Sequence, residues 1–386
     1  MKKIEKINLS KLIHDLKKNK FTNFSLHKPK FDSEETLFLK QAIDEKWVST
    51  KGPKVNLFEK KLRFFTKSKY CIATNTGTAG LYISLKSMGI KKNDEVLIPN
   101  LTFIASVNSI LYCDAIPNIV DTNENDLNIS IKKLEIYLKK IVKFKKGIPF
   151  NKRTKNRIFA MMPVHVFGHI CEMNELKKIG KKYNIKILED SAEALGSMYK
   201  NNNISQNSEA TVISFNGNKI ITCGAGGAIL TNSKKIAEKA MNLVTLNNIP
   251  NSLHQNHFNL GYNLRMPAIN ANLGLAQLKK LHQQIKFKRH LYKKYKTFFS
   301  KKENIFFDLY SENKNQKSNY WLQVLILKRK YKNDLNYILK IFKKNKISIR
   351  TMWTPLSKIY YLRKYPKSNL KNSITNYKRV ICIPSN

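Results

Sequence analysis

Acidic residues are scarce in this chain. Against 71 Lys and Arg, its 386 residues include only 26 Asp and Glu, for a formal charge of +45. Taken alone, that shortage of negative charge points to nucleic acid or an anionic membrane surface. The excess, however, is mostly lysine, spread from Lys2 to Lys378 and mixed with abundant Asn and Ile, whereas a binding patch needs clustering on one face. The expected role is a solvated basic surface whose field steers a small anionic substrate toward a cleft. A basic nucleic-acid-binding protein stands as the non-enzymatic alternative, and no nucleic-acid partner is expected under the main reading.

Cysteine is also sparse. Cys71, Cys113, Cys171, Cys223 and Cys382 form no CxxC pair and leave an odd one over. That excludes a disulfide framework and a zinc site, predicts no metal, and points to a reducing compartment. Long apolar runs are missing as well: no stretch approaches the roughly 18 residues of a membrane span, and MKKIEKINLSKLIHDLKKNKF lacks the apolar centre of a signal peptide. No membrane partner is expected, and the simplest location is the cytoplasm.

What the chain does have is alternation. Its length predicts about two domains. From Thr78 to Leu230, helical and strand-like stretches take turns: TAGLYISLKSMG sets Leu81, Leu85 and Met88 on one helical face and ends at Gly89, a C′ glycine. EVLIP, AIPNIVD, RIFAMMPVH, NIKILED and ATVISF read as strands, with MNELKKIGKKYN as a helical connector. This alternation predicts an α/β fold with a largely parallel sheet covered on both faces. After about residue 270 a long helix, AINANLGLAQLKKLHQQIKFKRHLYKKYKTFF, puts Leu273, Ala276, Leu278 and Leu281 on its apolar side. YWLQVLIL, NDLNYILKIFKKN and ISIRTMW then predict a smaller α+β unit. The charge-rich Lys139–Arg157 segment reads as a solvated loop.

In open parallel sheets, ligands sit beyond the carboxyl ends of the strands. Asp190, Ser214, His165 and Phe103 all fall at such ends. Each has a plainer reading: Asp190 as a helix cap, Ser214 as a turn hydroxyl, His165 as a packing histidine, Phe103 as core. NTGTAG, Asn75 to Gly80, opens a helix whose free amides suit an anion, although an N-cap at Thr76 or Thr78 explains it equally. Lys219 lies between a strand and a glycine cluster in SFNGNKIITCGAGGAIL.

The order of these features resembles the fold-type I pyridoxal phosphate enzymes and, within them, the DegT/DnrJ/EryC1/StrS sugar aminotransferases. WVSTKGPKVNLFE, NTGTAGL, DEVLIPNLTFIASVNSI, PVHVFGH, ILEDSAEALGS, SFNGNKIITCGAGGAILT and GYNLRMPAINANLGLAQL carry the likeness in the family's order, and NYWL with ISIRTMW extends it. The resemblance implies a large cofactor-binding domain over 1–265, with an N-terminal arm, and a small α+β domain over 266–386. It also implies a further short helical stretch after VICIPSN.

By the same resemblance, Lys219 would join the cofactor as a Schiff base and then shuttle the proton, with Gly224, Gly226 and Gly227 letting the backbone pass close by. Asp190 would pair with the ring nitrogen. Thr78, Ala79 and Ser214 would hold the phosphate, Phe103 would stack on the ring, and Asn263 would reach the phosphate of a neighbouring subunit, which implies a homodimer with shared sites. Glu193 stands beside the ring hydroxyl, where the family more often has Gln, and an ionised carboxylate there only accepts hydrogen bonds. His165, Arg265, Trp47, Ser49 and Thr50 are the substrate-side candidates, with a structural ion pair as the alternative for Arg265. Dehydratase relatives carry His at the Lys219 position, which weighs against a dehydratase or isomerase.

The motifs look closest to the branch acting on legionaminic acid and bacillosamine precursors. The implied reaction moves the amino group of glutamate to the C4 keto group of a UDP-linked 4-keto-6-deoxy-N-acetylhexosamine, for surface glycan synthesis. A GDP-sugar perosamine-type enzyme or a dTDP-linked 3-keto sugar enzyme is the alternative.

Overall fold

Seven strands form the central sheet of a computed structural model that describes residues 1–386 apart from 20–24, 125, 248–256, 258 and 302–303. Their spatial order is Tyr70–Thr74, Gly227–Thr231, Ala210–Ser214, Lys186–Asp190, Ile158–Met161, Glu95–Pro99 and Ile116–Val120. From Ala210–Ser214 to Ile116–Val120 all neighbours run parallel, whereas Gly227–Thr231 runs against both of its neighbours. Successive strand residues point to opposite faces. Leu97, Ile187, Ile213 and Leu230 accordingly enter one core, while Val96, Ile98, Leu188, Val212 and Ile229 enter the other. A sheet buried on both sides explains why its strands read as near-continuous apolar runs, and the α/β expectation holds.

The helix Gly77–Met88 forms as its sequence predicts. Thr76 caps it by accepting the Ala79 N–H on its hydroxyl, Gly89 ends it at φ +92°, and Leu81, Leu85 and Met88 are buried. The long helix spans Ala268–Phe299. Ala276 and Leu281 are buried as expected, but the packed face is shifted to take in Ala271 and Leu275, while Leu273 and Leu278 are only half-buried. The cause is close approach at Gly274, where a Cβ would lie 2.5 Å from Cys223 Sγ and 2.8 Å from Phe58.

Beyond it, a four-stranded antiparallel sheet runs in the order Phe307–Leu309, Gln323–Leu327, Val380–Ile383, Arg350–Thr351. Its core includes Leu9, Leu12, Ile13 and Leu16 of the first helix, Lys3–Lys18, packed with Tyr295, Phe306, Phe342 and Ile381. A sequence period shows that a helix has an apolar face but not which partner covers it, and here the cover comes from the C-terminal third.

The Lys139–Arg157 segment differs from the expected loop. It finishes a helix at Ile141 and then forms a hairpin, Val142–Lys145 against Ile148–Asn151. Lys146 and Gly147, both at positive φ, make its two-residue turn, the backbone such tight hairpins require. Lys143, Lys145 and Lys146 gave the stretch the look of a solvated loop, and the hairpin they sit on leaves Phe144 and Ile148 exposed as well.

Candidate active site

Asp190 and Ser214 end neighbouring parallel strands in register, Val212 standing opposite Asp190. Both line a cavity of about 270 Å³ shared by Thr76, Gly77, Thr78, Phe103, Glu193, Lys219, Trp321, Arg350 and Trp353. The structure therefore brings together Lys219, Asp190, Glu193, Ser214, Thr78 and Phe103 from stretches far apart in sequence.

Asp190 is 5% exposed. One carboxylate oxygen accepts the Ser106 hydroxyl at 2.6 Å and the other accepts the Ala192 N–H at 3.1 Å. Lys219 sits on a loop that is closed at its neck. Phe215 N–H donates to the Gly226 carbonyl at 2.9 Å, and Cys223 N–H donates back to the Phe215 carbonyl at 2.9 Å. A loop pinned this way holds its lysine without needing a helix or strand.

Glu193 Oε1 lies 3.3 Å from Lys219 Nζ, and its Oε2 accepts the Phe167 N–H at 2.9 Å. Burial raises the Glu193 pKa above the ordinary 4.5, with Lys219, the Phe167 amide and Arg350 pulling the other way. The Lys219 ammonium also stands 4.4 Å from the Trp321 ring centroid. That indole is fixed by its N–H to the Asn218 carbonyl at 2.8 Å and by its backbone N–H to Asn319, whose amide donates to the Glu193 carbonyl at 2.9 Å.

The anion cradle differs in detail from expectation. The Ala79 amide is taken by Thr76 Oγ1 at 3.0 Å, and the Gly80 amide by the Thr76 carbonyl. Of the first-turn amides, those of Gly77 and Thr78 remain for an anion, and Ala79 does not line the cavity. Gly227 explains the glycine cluster best: a Cβ there would lie 2.6 Å from the Gly77 nitrogen and the Thr76 carbonyl oxygen, so a side chain would push the strand off the cradle.

Several expected residues lie elsewhere. His165 is fully buried, with Nε2 3.0 Å from Glu189 and Nδ1 accepting the Cys171 N–H at 3.2 Å. With Nδ1 held as an acceptor, the ring proton is on Nε2, facing Glu189, and the ring has no nitrogen left for chemistry in the cavity. Arg265 makes a bidentate pair with Glu59, at 2.6 and 3.1 Å. Trp47 packs against Gly52, the Ser49 carbonyl accepts the Ala268 N–H at 2.6 Å, and neither they nor Thr50 line the cavity. Asn263 is exposed and lies outside it.

Sequence reasoning named the helix opening that holds Thr76 and Gly77, and the stretches NYWL and ISIRTMW, without giving a site role to Thr76, Gly77, Trp321, Arg350 or Trp353, all of which line the cavity. The Arg350 guanidinium lies 5.8 Å from the Trp321 ring centroid and 5.9 Å from that of Trp353, and its Nε and Nη2 are shielded from solvent with no acceptor among the described residues.

The chain also matches known proteins. The model of the DegT/DnrJ/EryC1/StrS aminotransferase family matches residues 29–386. The GDP-perosamine synthase of Caulobacter vibrioides is 36% identical over 68% of this chain and 66% of its own length. That of Escherichia coli O157:H7 is 32% identical over 79% of this chain and 78% of its own. Among solved structures, Helicobacter pylori PseC, an aminotransferase involved in the biosynthesis of pseudoaminic acid, superposes with a TM-score of 0.83 over 94% of this chain and 93% of its own, at 24% identity.

Proposed function

This chain belongs to the DegT/DnrJ/EryC1/StrS aminotransferase family and is a pyridoxal phosphate-dependent sugar aminotransferase; from that premise we propose that it moves the amino group of glutamate to the C4 keto carbon of a nucleotide-linked 4-keto-6-deoxy sugar. The first candidate acceptor is UDP-4-keto-6-deoxy-N-acetylhexosamine. The names of the two relatives above favour a GDP-linked keto sugar as the second reading.

One observation carries the proposal: a lysine, a strand-end carboxylate and a helix amino end share a single cavity. That donor set fits pyridoxal phosphate, and a Cβ at Gly77 would crowd Ser214 to 3.0 Å, closing the cradle on its phosphate. When bound, the cofactor supplies an electron sink that makes a proton on the neighbouring carbon mobile. Lys219 would hold the cofactor and move that proton. Asp190 would face the ring nitrogen, the Gly77 and Thr78 amides with the Ser214 hydroxyl would take the phosphate, and Phe103 would cover the ring. Glu193 would keep the Lys219 amine oriented. The Arg350 cation, among the described residues the one cation lining the cavity besides Lys219, would receive a carboxylate of glutamate. Asn263, exposed and outside this cavity, would serve the site of a second copy in a homodimer.

The test offers UDP-, GDP- and dTDP-linked keto sugars with glutamate and identifies any aminated product by mass and NMR, with Lys219→Ala as control. Amination at C4 of one acceptor, lost in the control, supports the reading. Turnover by Lys219→Ala at the parental rate, or no amination of any acceptor by a cofactor-loaded protein, overturns it.

A further inference from the structure

Asp190 is the last member of a hydroxyl chain. Thr102 Oγ1 lies 2.7 Å from Ser106 Oγ, which donates to Asp190 Oδ2 at 2.6 Å. Thr102 and Ser106 are each 1% exposed and line the cavity beside Asp190. Two hydroxyl protons serve this chain, and the charge on Asp190 sets their direction. If Asp190 is ionised, it only accepts. Ser106 then gives its proton to Asp190, Thr102 gives its own to Ser106, and both short contacts are made. If Asp190 carries a proton on Oδ2 and donates it to Ser106, the same two contacts run in reverse and Thr102 turns to the Phe103 carbonyl at 3.4 Å. What differs is the charge: a hydroxyl donating to a carboxylate makes a bond roughly twice as strong as one between neutral groups. The chain therefore favours the ionised form, and hydrogen bonds aligned head to tail reinforce one another.

We propose that Thr102 and Ser106 are positioning residues that lock Asp190 as an oriented, ionised acceptor, leaving the proton on the cofactor's ring nitrogen rather than on the carboxyl. The inference rests on the role for Asp190 proposed above. Neighbouring charges act on the same carboxylate: Lys219 and Arg350 from the cavity wall, Glu193 three residues on, and the Glu189–His165 pair behind the strand. None of them supplies the directional constraint of the two hydroxyls, which is also what holds Oδ2 turned toward the first turn of the helix Ile104–Leu111.

The test loads parent protein, Ser106→Ala, Ser106→Thr and Thr102→Val with pyridoxal phosphate labelled with ¹⁵N in the ring and reads the ¹⁵N shift at constant pH. The expected results are a ring shift characteristic of a protonated nitrogen in the parent, movement toward the unprotonated value in Ser106→Ala, a smaller movement in Thr102→Val, and recovery in Ser106→Thr. A protonated parent ring whose shift is unchanged in the Ala and Val variants overturns the relay and leaves the role of Asp190 standing. An unprotonated ring in the parent overturns that role, and the relay with it.

Discussion

Glu193 and Lys219 meet at 3.3 Å inside the cavity, an acid whose pKa burial raises beside an amine that opposes the rise. The carboxyl is more easily protonated in the folded chain than in the unfolded one, so between the ordinary value of 4.5 and its raised folded value the native state binds more protons. Stability contributed by this group is present below pH 4.5 and declines as pH climbs through the folded pKa. Glu193→Gln lacks the titration, so its stability relative to the parent should rise with pH across that window and level off above it. Denaturant melts of cofactor-free parent and variant at a series of pH values check the sign; a constant difference would mean that the carboxyl titrates in the fold as it does in the unfolded chain.

Arg350 lies near two indoles, with two guanidinium nitrogens lacking acceptors among the described residues. If it receives the carboxylate of glutamate, Arg350→Gln should raise the KM for glutamate roughly 30-fold or more, the lower end of the cost of truncating a buried charge partner. The half-reaction with the keto sugar should change little. Single-turnover measurements of the two half-reactions separate the cases: equal loss in both would mean that Arg350 only supports the wall of the cavity.

How much of this was readable beforehand depends on distance along the chain. Asp190, Ser214 and Lys219 were found because strand ends and a glycine-flanked lysine are local patterns, and the sheet brings their ends together by pairing neighbours. Trp321, Arg350 and Trp353 fall in NYWL and ISIRTMW, stretches whose likeness was legible but whose side-chain roles were not. Only the small sheet, in which Arg350 pairs with Cys382, delivers the guanidinium to a cavity built mainly by residues 76 to 226. The cradle illustrates a finer limit. Thr76 and Thr78 were equal candidates for the cap, and once Thr76 takes it, the free amides shift from Ala79 to Gly77. His165 sat at a strand end as expected, yet the next strand supplied Glu189 and turned the ring inward.

Arg265 supplies the last expectation, and it concerns stability rather than chemistry. Its guanidinium makes two bonds to Glu59 and reaches Asn56 at 3.3 Å, while Glu59 Oε1 also accepts the Ala73 N–H at 2.6 Å. The pair thereby ties the helix Pro53–Thr66 to the edge strand Tyr70–Thr74 and to the backbone entering the long helix, with both residues only 8% exposed. Removing the arginine alone strands a buried carboxylate, a loss of about 3–5 kcal/mol. Replacing both residues with apolar ones of similar volume, Arg265→Met with Glu59→Leu, removes the stranded charge as well. The double variant should therefore lose less than Arg265→Met alone, although the Ala73 amide then goes without its acceptor. Cofactor affinity and the glutamate half-reaction in the folded fraction should stay within a few-fold of the parent, since neither residue lines the cavity. Chemical denaturation of the single and double variants, combined with cofactor titration, decides the matter: a stable Arg265→Met protein that fails in catalysis would return this arginine to the substrate side.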